Sequence, residues 1–359
     1  MRTLLCLLLL AATAQAEWRL ALPGWKYEFP RDHGNHADFK TEWWYFTGNL
    51  EAKDGREFGY QLTFFRQGVV QAGAAVADSH FATRDIKFAH FALSDISGQK
   101  FSFFQELSRG AFGEAGFEQG SRLTWIKDWS VERVGDNGFR LVAKDGAVAL
   151  DLNLASERGP VINGRNGVSQ KADGEGRASH YYSLTRLVSE GVVRIGKDDF
   201  QVKGLSWFDH EWATNQLGEN QAGWDWLSLH FSGGEDMMLF QLRKKDGGRD
   251  SHSSGTFIDA KGNSSEIAPD AFTMEPLRYW TSAVTKGRYP VEWKITIPSR
   301  KLAITVRAAQ DNQELSLKPM GYWEGAVRVE GTLDGQPTQA KGYLEMTGYA
   351  GEIVGMSAK

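Results

Sequence analysis

Apolar and polar side chains alternate with a period of two along most of this 359-residue chain. Val148, Leu150, Leu152 and Leu154 alternate with Ala149, Asp151 and Asn153. Trp293, Ile295 and Ile297 alternate with Lys294 and Thr296, and Leu302, Ile304 and Val306 with Ala303 and Thr305. Successive side chains of a strand point to opposite faces, so each run reads as a strand with one buried face. Between runs stand Asp54-Gly55, Asp145-Gly146, Asp246-Gly247 and Asp334-Gly335. Asp-Gly tolerates the positive φ of a two-residue hairpin. No long stretch shows a 3.6-residue period. The chain is expected to be all-β, with antiparallel up-and-down pairing. Its 40 Gly, 13 Trp, 21 Phe and 10 Tyr fit strands, tight turns and a wide apolar pocket.

The first sixteen residues read as a targeting segment. Arg2 supplies a positive start, Leu4 to Ala12 an apolar stretch, and Ala14-Gln15-Ala16 a small-residue cleavage site. This predicts a secretory signal peptide over 1–16 and an exported protein, periplasmic or secreted. The single cysteine, Cys6, falls inside it, so a mature chain from Glu17 has no thiol for disulfides, thiolate metal sites or nucleophilic catalysis. No later stretch is apolar enough for a membrane-spanning helix, so an integral membrane protein is not expected. With 41 Lys+Arg against 45 Asp+Glu and no basic run, neither is nucleic-acid binding.

At roughly 100–200 residues per domain the length allows two domains. A weak internal repeat favours them. Trp43-Trp44-Tyr45 opens a strand that turns at Asp54-Gly55 and returns through Phe58 to Arg66. Trp224-Asp225-Trp226 opens another, turning at Gly233-Gly234 and returning through Met237 to Arg243. We expect an N-terminal domain over 17–205 and a C-terminal one over 206–359, with 163–177 as a long loop in the first.

Chemistry concentrates in three clusters. Trp207-Phe208-Asp209-His210-Glu211-Trp212 is followed by Gly223-Trp224-Asp225-Trp226. Alternation sends Asp209 and Glu211 to one face and His210 and Trp212 to the other. His210 is the candidate acid or base, with Asp209 or Asp225 as partner, and Trp212, Trp224 and Trp226 as walls. In the second cluster, Glu42 stands beside Trp43, Trp44 and Tyr45, after Asp32-His33-Gly34-Asn35-His36. His33 and His36 lack a third ligand at a defined spacing, so no metal is assigned. The third cluster is His180-Tyr181-Tyr182-Ser183, where His180 and Tyr182 share a face. Trp323 sits in a closing strand, Tyr322-Trp323-Glu324-Gly325. The chain carries no Gly-x-Ser-x-Gly elbow, phosphate-binding or dinucleotide-binding glycine loop, or zinc-protease motif, so no cofactor is assigned.

The run from Asp32-His33-Gly34 through Thr41-Glu42-Trp43-Trp44-Tyr45-Phe46-Thr47-Gly48-Asn49-Leu50 resembles the opening signature of the AttH/carotenoid hydratase family of lipocalin-like proteins. Ser179-His180-Tyr181-Tyr182-Ser183, Trp207 to Trp212, Gly223 to Trp226 and Tyr322 to Gly325 resemble its later blocks, and together they span residues 30 to 350. The resemblance implies two tandem lipocalin-like β-barrels packed together, with a cavity at or near their junction. The family includes hydratases that add water to a terminal isoprenoid double bond, cyclases, and exported members loosely called secreted hydrolases. Some of these are encoded with ABC-transporter components, which become possible partners. The hydratase branch's His and Trp, two residues apart, carry onto His210 and Trp212. Its Tyr and Asp on a following strand have no counterpart in Met237 to Arg243.

Two functions are therefore expected, and the resemblance implies a third, an accessory component of an ABC transport system. One is binding of an isoprenoid or lipid-like small molecule in an aromatic cavity at the junction. The other is a hydratase or hydrolase acting through His210 with Asp209 or Asp225.

Overall fold

The computed structural model describes residues 17–71, 79, 82–318 and 321–351. The expected signal peptide, with Cys6, lies outside the described residues. Among them the only helical elements are three short 3₁₀ turns, and no helix is long and apolar enough to cross a membrane. The strands that make up most of the rest pair antiparallel.

Two sheets carry the fold. A 13-stranded sheet runs from Lys100–Ser108 at one edge, through Glu57–Gly68, Thr41–Ala52, Asp198–Ala213 and Ala178–Ile195, to Ala115–Phe117 at the other. It curls into a nearly closed barrel. A 10-stranded sheet is centred on Gln221–Phe231, Gln336–Met346 and Tyr322–Leu333, and forms a half-barrel. The Asp-Gly turns at 54–55, 145–146 and 334–335 join neighbouring antiparallel strands. At the last, Asp334 and Gly335 have φ of 52° and 77°, the left-handed values this turn requires. The domain limit expected at 205/206 falls inside strand Asp198–Ala213, which belongs wholly to the barrel; the chain crosses to the half-barrel in 214–220.

Each sheet encloses its own apolar core. Trp44, Phe46, Phe208 and Trp212 point into the barrel, and Leu227, Leu229, Trp293 and Trp323 into the half-barrel. A third core lies between the sheets, built from Tyr45, Tyr181, Trp207, Trp226, Phe240 and Tyr343. The central strands are therefore buried on both faces, which explains near-continuous aromatic runs such as Trp43-Trp44-Tyr45-Phe46. Burying one such side chain contributes about 1.5–3 kcal/mol.

Close approach and polar bonds lock the two layers together. A Cβ on Gly59 would lie 2.7 Å from that of Ala326 across the junction. Asn49 donates to the Gly342 carbonyl at 3.0 Å. Asp236, fully buried, accepts from Arg158 (2.8 Å), Arg186 (2.6 Å) and Thr185 (3.0 Å), all from the barrel side. The loop over 163–177 folds back on Ala178–Ile195 through Val161–Ile162 and Ser169–Gln170. That places Lys171 over the junction.

Candidate functional site

A small cavity of about 70 Å³ opens in the junction between barrel and half-barrel. Aromatic side chains wall it: Trp43, Tyr45 and Phe65 from the barrel, and Trp224, Trp226 and Phe240 from the half-barrel. Into these walls project Asp209, Glu211, Glu324, Glu345 and Lys171. Their placement follows from strand alternation: Asp209 and Glu211 take the outer face of Asp198–Ala213, opposite Phe208, His210 and Trp212.

The acids differ in state. Asp209 accepts from Tyr181 and Ser183 hydroxyls, each at 2.5 Å, and from the Trp207 indole at 2.6 Å. Burial outweighs these three donors and pushes its carboxyl up to about 7. Glu345 accepts from the Trp224 indole at 3.0 Å, yet burial, with Glu211 and Asp209 nearby, also raises it to about 7. Glu324 accepts from the Tyr45 hydroxyl at 2.9 Å through Oε2, while its buried Oε1 has no hydrogen-bond partner among the described residues. Burial and the neighbouring Glu345 push Glu324 well above the carboxylate range. Glu211 is tied to Ser179 (2.5 Å) and Lys171 (3.5 Å).

The other face of the same strands forms a second polar centre, inside the barrel. His210 Nε2 lies 3.0 Å from Glu42 Oε1, and its Nδ1 lies 3.0 Å from the Asp32 carbonyl. Glu42 also faces His36 Nδ1 at 2.7 Å and accepts from Arg66 Nε at 3.1 Å. Burial alone would raise Glu42, but His36, His210 and Arg66 together hold it far below the usual range. Tyr182 bonds His33 Nδ1 at 2.7 Å. Trp212 stacks flat on His36 at 3.7 Å, and Trp44 stacks on His210 at 4.7 Å. Burial pushes His210 below its ordinary value despite Glu42.

The residues singled out from the sequence thus divide among several places. Trp43, Tyr45, Asp209, Trp224 and Trp226 line the cavity. Glu42, Trp44, Tyr182, His210 and Trp212 lie inside the barrel, and His180 packs there against Trp25 and Trp212. Trp323 is in the half-barrel core, its indole donating to the Asp311 carbonyl at 2.8 Å. Asp225 alternates with Trp224 and Trp226 and is held by Gln241 (3.1 Å) and Arg243 (3.2 Å). The structure therefore does not bring His210 together with Asp209 or Asp225. A sheet separates His210 from Asp209, and Glu42 is the carboxylate it meets.

Sequence patterning alone does not assign Glu324, Glu345 and Lys171 to the site. Both glutamates nevertheless carry a signal: each interrupts an otherwise apolar run, Tyr322-Trp323-Glu324 and Leu344-Glu345-Met346. A lone acid in a doubly buried strand has to face something polar.

The family model described as AttH-like matches residues 20–349. An AttH protein of Nitrosomonas europaea is 35% identical, with a TM-score of 0.82 over 92% of this chain and 99% of its own. Kievitone hydratase of Nectria haematococca is 14% identical, with a TM-score of 0.72 over 90% of this chain and 93% of its own. The dehydratase asqC of Emericella nidulans is 23% identical over 298 residues, 77% of this chain and 81% of that protein. The resemblance read from the aromatic and acidic blocks is matched across nearly the whole chain: it belongs to the AttH-like family.

Proposed function

We propose that this protein binds a predominantly apolar, uncharged small molecule in the cavity between barrel and half-barrel, and adds or removes water there by acid/base chemistry. The observation that carries this reading is Glu324, a buried carboxyl in an aromatic cavity with one oxygen unpartnered among the described residues, opposite Glu345 on the adjacent strand and pushed by burial toward its protonated form. An aromatic wall binds apolar surface and keeps water scarce, and a carboxyl whose protonated form is favoured by burial is poised as a general acid. In hydration, Glu324 gives its proton to an alkene carbon, and ionised Glu345 takes one from the attacking water. The two glutamates then re-equilibrate their proton; dehydration is the reverse. Similarity to a dehydratase and to the fold of a hydratase supports this choice of reaction. Binding without turnover is the competing reading, supported by the same walls. The expected signal peptide over 1–16 makes export part of the proposal.

The test incubates the chain from Glu17 onward with a lipid extract and analyses bound and free molecules by mass spectrometry. A product differing by one water, lost in Glu324→Gln while ligand still binds, supports the reading. A bound compound of unchanged mass leaves a carrier and removes the enzymatic part. Full ligand retention in Trp224→Ala and Trp226→Ala would sink the cavity assignment altogether.

A further inference from the structure

The barrel interior holds a second centre that the cavity chemistry does not use. We propose that His36, Glu42 and His210 form a binding site for one divalent first-row transition ion, Zn²⁺ being the natural probe.

Three observations converge on it. First, one ligand atom from each residue lies within 4.8 Å of the other two, and all three residues are buried. The separations to Glu42 Oε1 are 2.7 Å from His36 Nδ1 and 3.0 Å from His210 Nε2. Two ligands about 2.0–2.1 Å from one zinc ion sit about 2.9–3.4 Å apart at tetrahedral or octahedral angles, close to the separation of each imidazole from Glu42.

Second, the far nitrogen of each imidazole is anchored as it is in metal sites. His210 Nδ1 faces the Asp32 carbonyl at 3.0 Å, and His36 Nε2 faces the Asp32 carboxylate at 3.3 Å. A ligating histidine characteristically gives its other ring N–H to such an acceptor, which fixes the tautomer and aims the free lone pair at the ion. Asp32, itself fully buried, serves both rings. Arg66 holds the other Glu42 oxygen at 3.1 Å, and the His36 backbone N–H, 3.0 Å from Oε1, fixes the carboxylate with Oε1 turned toward both rings.

Third, His210 meets acceptors at both ring nitrogens: the Asp32 carbonyl lies 3.0 Å from Nδ1, with the Tyr182 hydroxyl at 3.3 Å, and the Glu42 carboxylate lies 3.0 Å from Nε2. A neutral ring has one hydrogen for these two acceptors, so a cation between Nε2 and Glu42, a metal ion or a second ring proton, satisfies both. Two histidines and one carboxylate are a familiar donor set for zinc and related ions. In the sequence these residues are scattered, and the pairing of Thr41–Ala52 with Asp198–Ala213, which sets Glu42 opposite Trp212, draws them together.

The experiment uses tag-free protein, dialysed against chelator and incubated at length with Zn²⁺ or Co²⁺, because Trp25 and Trp212 pack over the site. The expected result is one tightly held ion per chain, with a Co²⁺ absorption spectrum of nitrogen- and oxygen-ligated, non-aqueous geometry. His36→Gln and His210→Gln should each weaken binding about 100-fold or more, and Asp32→Asn about 10–100-fold. His33→Gln, a neighbouring histidine outside the set, should leave it unchanged. Wild-type protein that takes up no ion overturns the proposal and identifies the cation as a proton. Uptake that persists in both histidine variants overturns it as well, since the ion then sits elsewhere. The wild-type spectrum decides the matter even if a variant fails to fold. None of these readouts depends on the cavity or on turnover.

Discussion

Glu324 and Glu345 stand directly opposite each other on the antiparallel strands Tyr322–Leu333 and Gln336–Met346, and both side chains line the cavity between the two sheets. Directly opposed residues hold their Cβ atoms about 4.5–5.5 Å apart, so two carboxyls there cannot both ionise cheaply. The half-barrel side therefore presents a proton donor and a proton acceptor to the same space.

That pairing fixes a pH profile. Glu345 ionises near 7, while Glu324 keeps its proton well above the carboxylate range. With Glu345 as base and Glu324 as acid, turnover should rise roughly tenfold per pH unit below 7 and level off above it. In Glu345→Gln this rise should vanish along with most of the activity. A profile unchanged by that substitution would remove Glu345 from the reaction.

The same group leaves a mark on stability. Its pKa is raised on folding, so between about 4.5 and 7 the folded chain holds a proton that the unfolded chain has released. This contribution is complete below the unfolded value and is lost as pH rises through 7. His33 and His180, lowered by burial to about 4, act in the opposite sense, losing stability as pH falls toward 4. The expected signature is therefore a difference. The gap in urea-unfolding free energy between Glu345→Gln and wild type should shift in favour of the variant from pH 5 to pH 8. A constant gap would contradict it.

Arg66 is fully buried, with Glu42, Asp85 and the carbonyls of His36 and Phe39 around its guanidinium. Arg66→Met keeps much of the volume but strands the Glu42 charge. Breaking one side of a buried pair costs about 3–5 kcal/mol, and a loss of that size is expected in chemical denaturation. A loss below about 1 kcal/mol would show that His36 alone compensates Glu42.

Asp236 ties the layers together, since Arg158, Arg186 and Thr185 of the barrel side all converge on it. Asp236→Ala leaves the part-buried guanidinium groups of Arg158 and Arg186 without their shared counter-ion. The variant should lose about 3–5 kcal/mol. Tryptophan fluorescence, reporting on the junction through Trp207 and Trp226, should then change before the far-ultraviolet circular dichroism does. Coincident transitions would mean that the junction is held by its apolar core alone.

The strand pattern is legible because it is local. A period of two needs only neighbouring residues, and Asp-Gly announces its turn by its own φ preference, so the all-β class and the hairpins at 54–55, 145–146 and 334–335 are readable from the chain. The alternation at 207–212 is equally plain, down to His210 and Trp212 sharing one face and Asp209 and Glu211 the other. A period of two cannot state which elements cover each face. In a strand buried on both sides, the neighbours Asp209 and His210 enter different chambers, and which partners await them depends on strands far away in sequence. Glu42 reaches His210 through the pairing of Thr41–Ala52 with Asp198–Ala213, and Glu345 reaches Asp209 only because the half-barrel packs on the barrel. The passage between the sheets is likewise a fact of pairing: the residues before and after position 205 carry the same local pattern, yet strand Asp198–Ala213 stays with the barrel to its end. Local periodicity sets the direction of every side chain; the packing of layer on layer decides which of them meet.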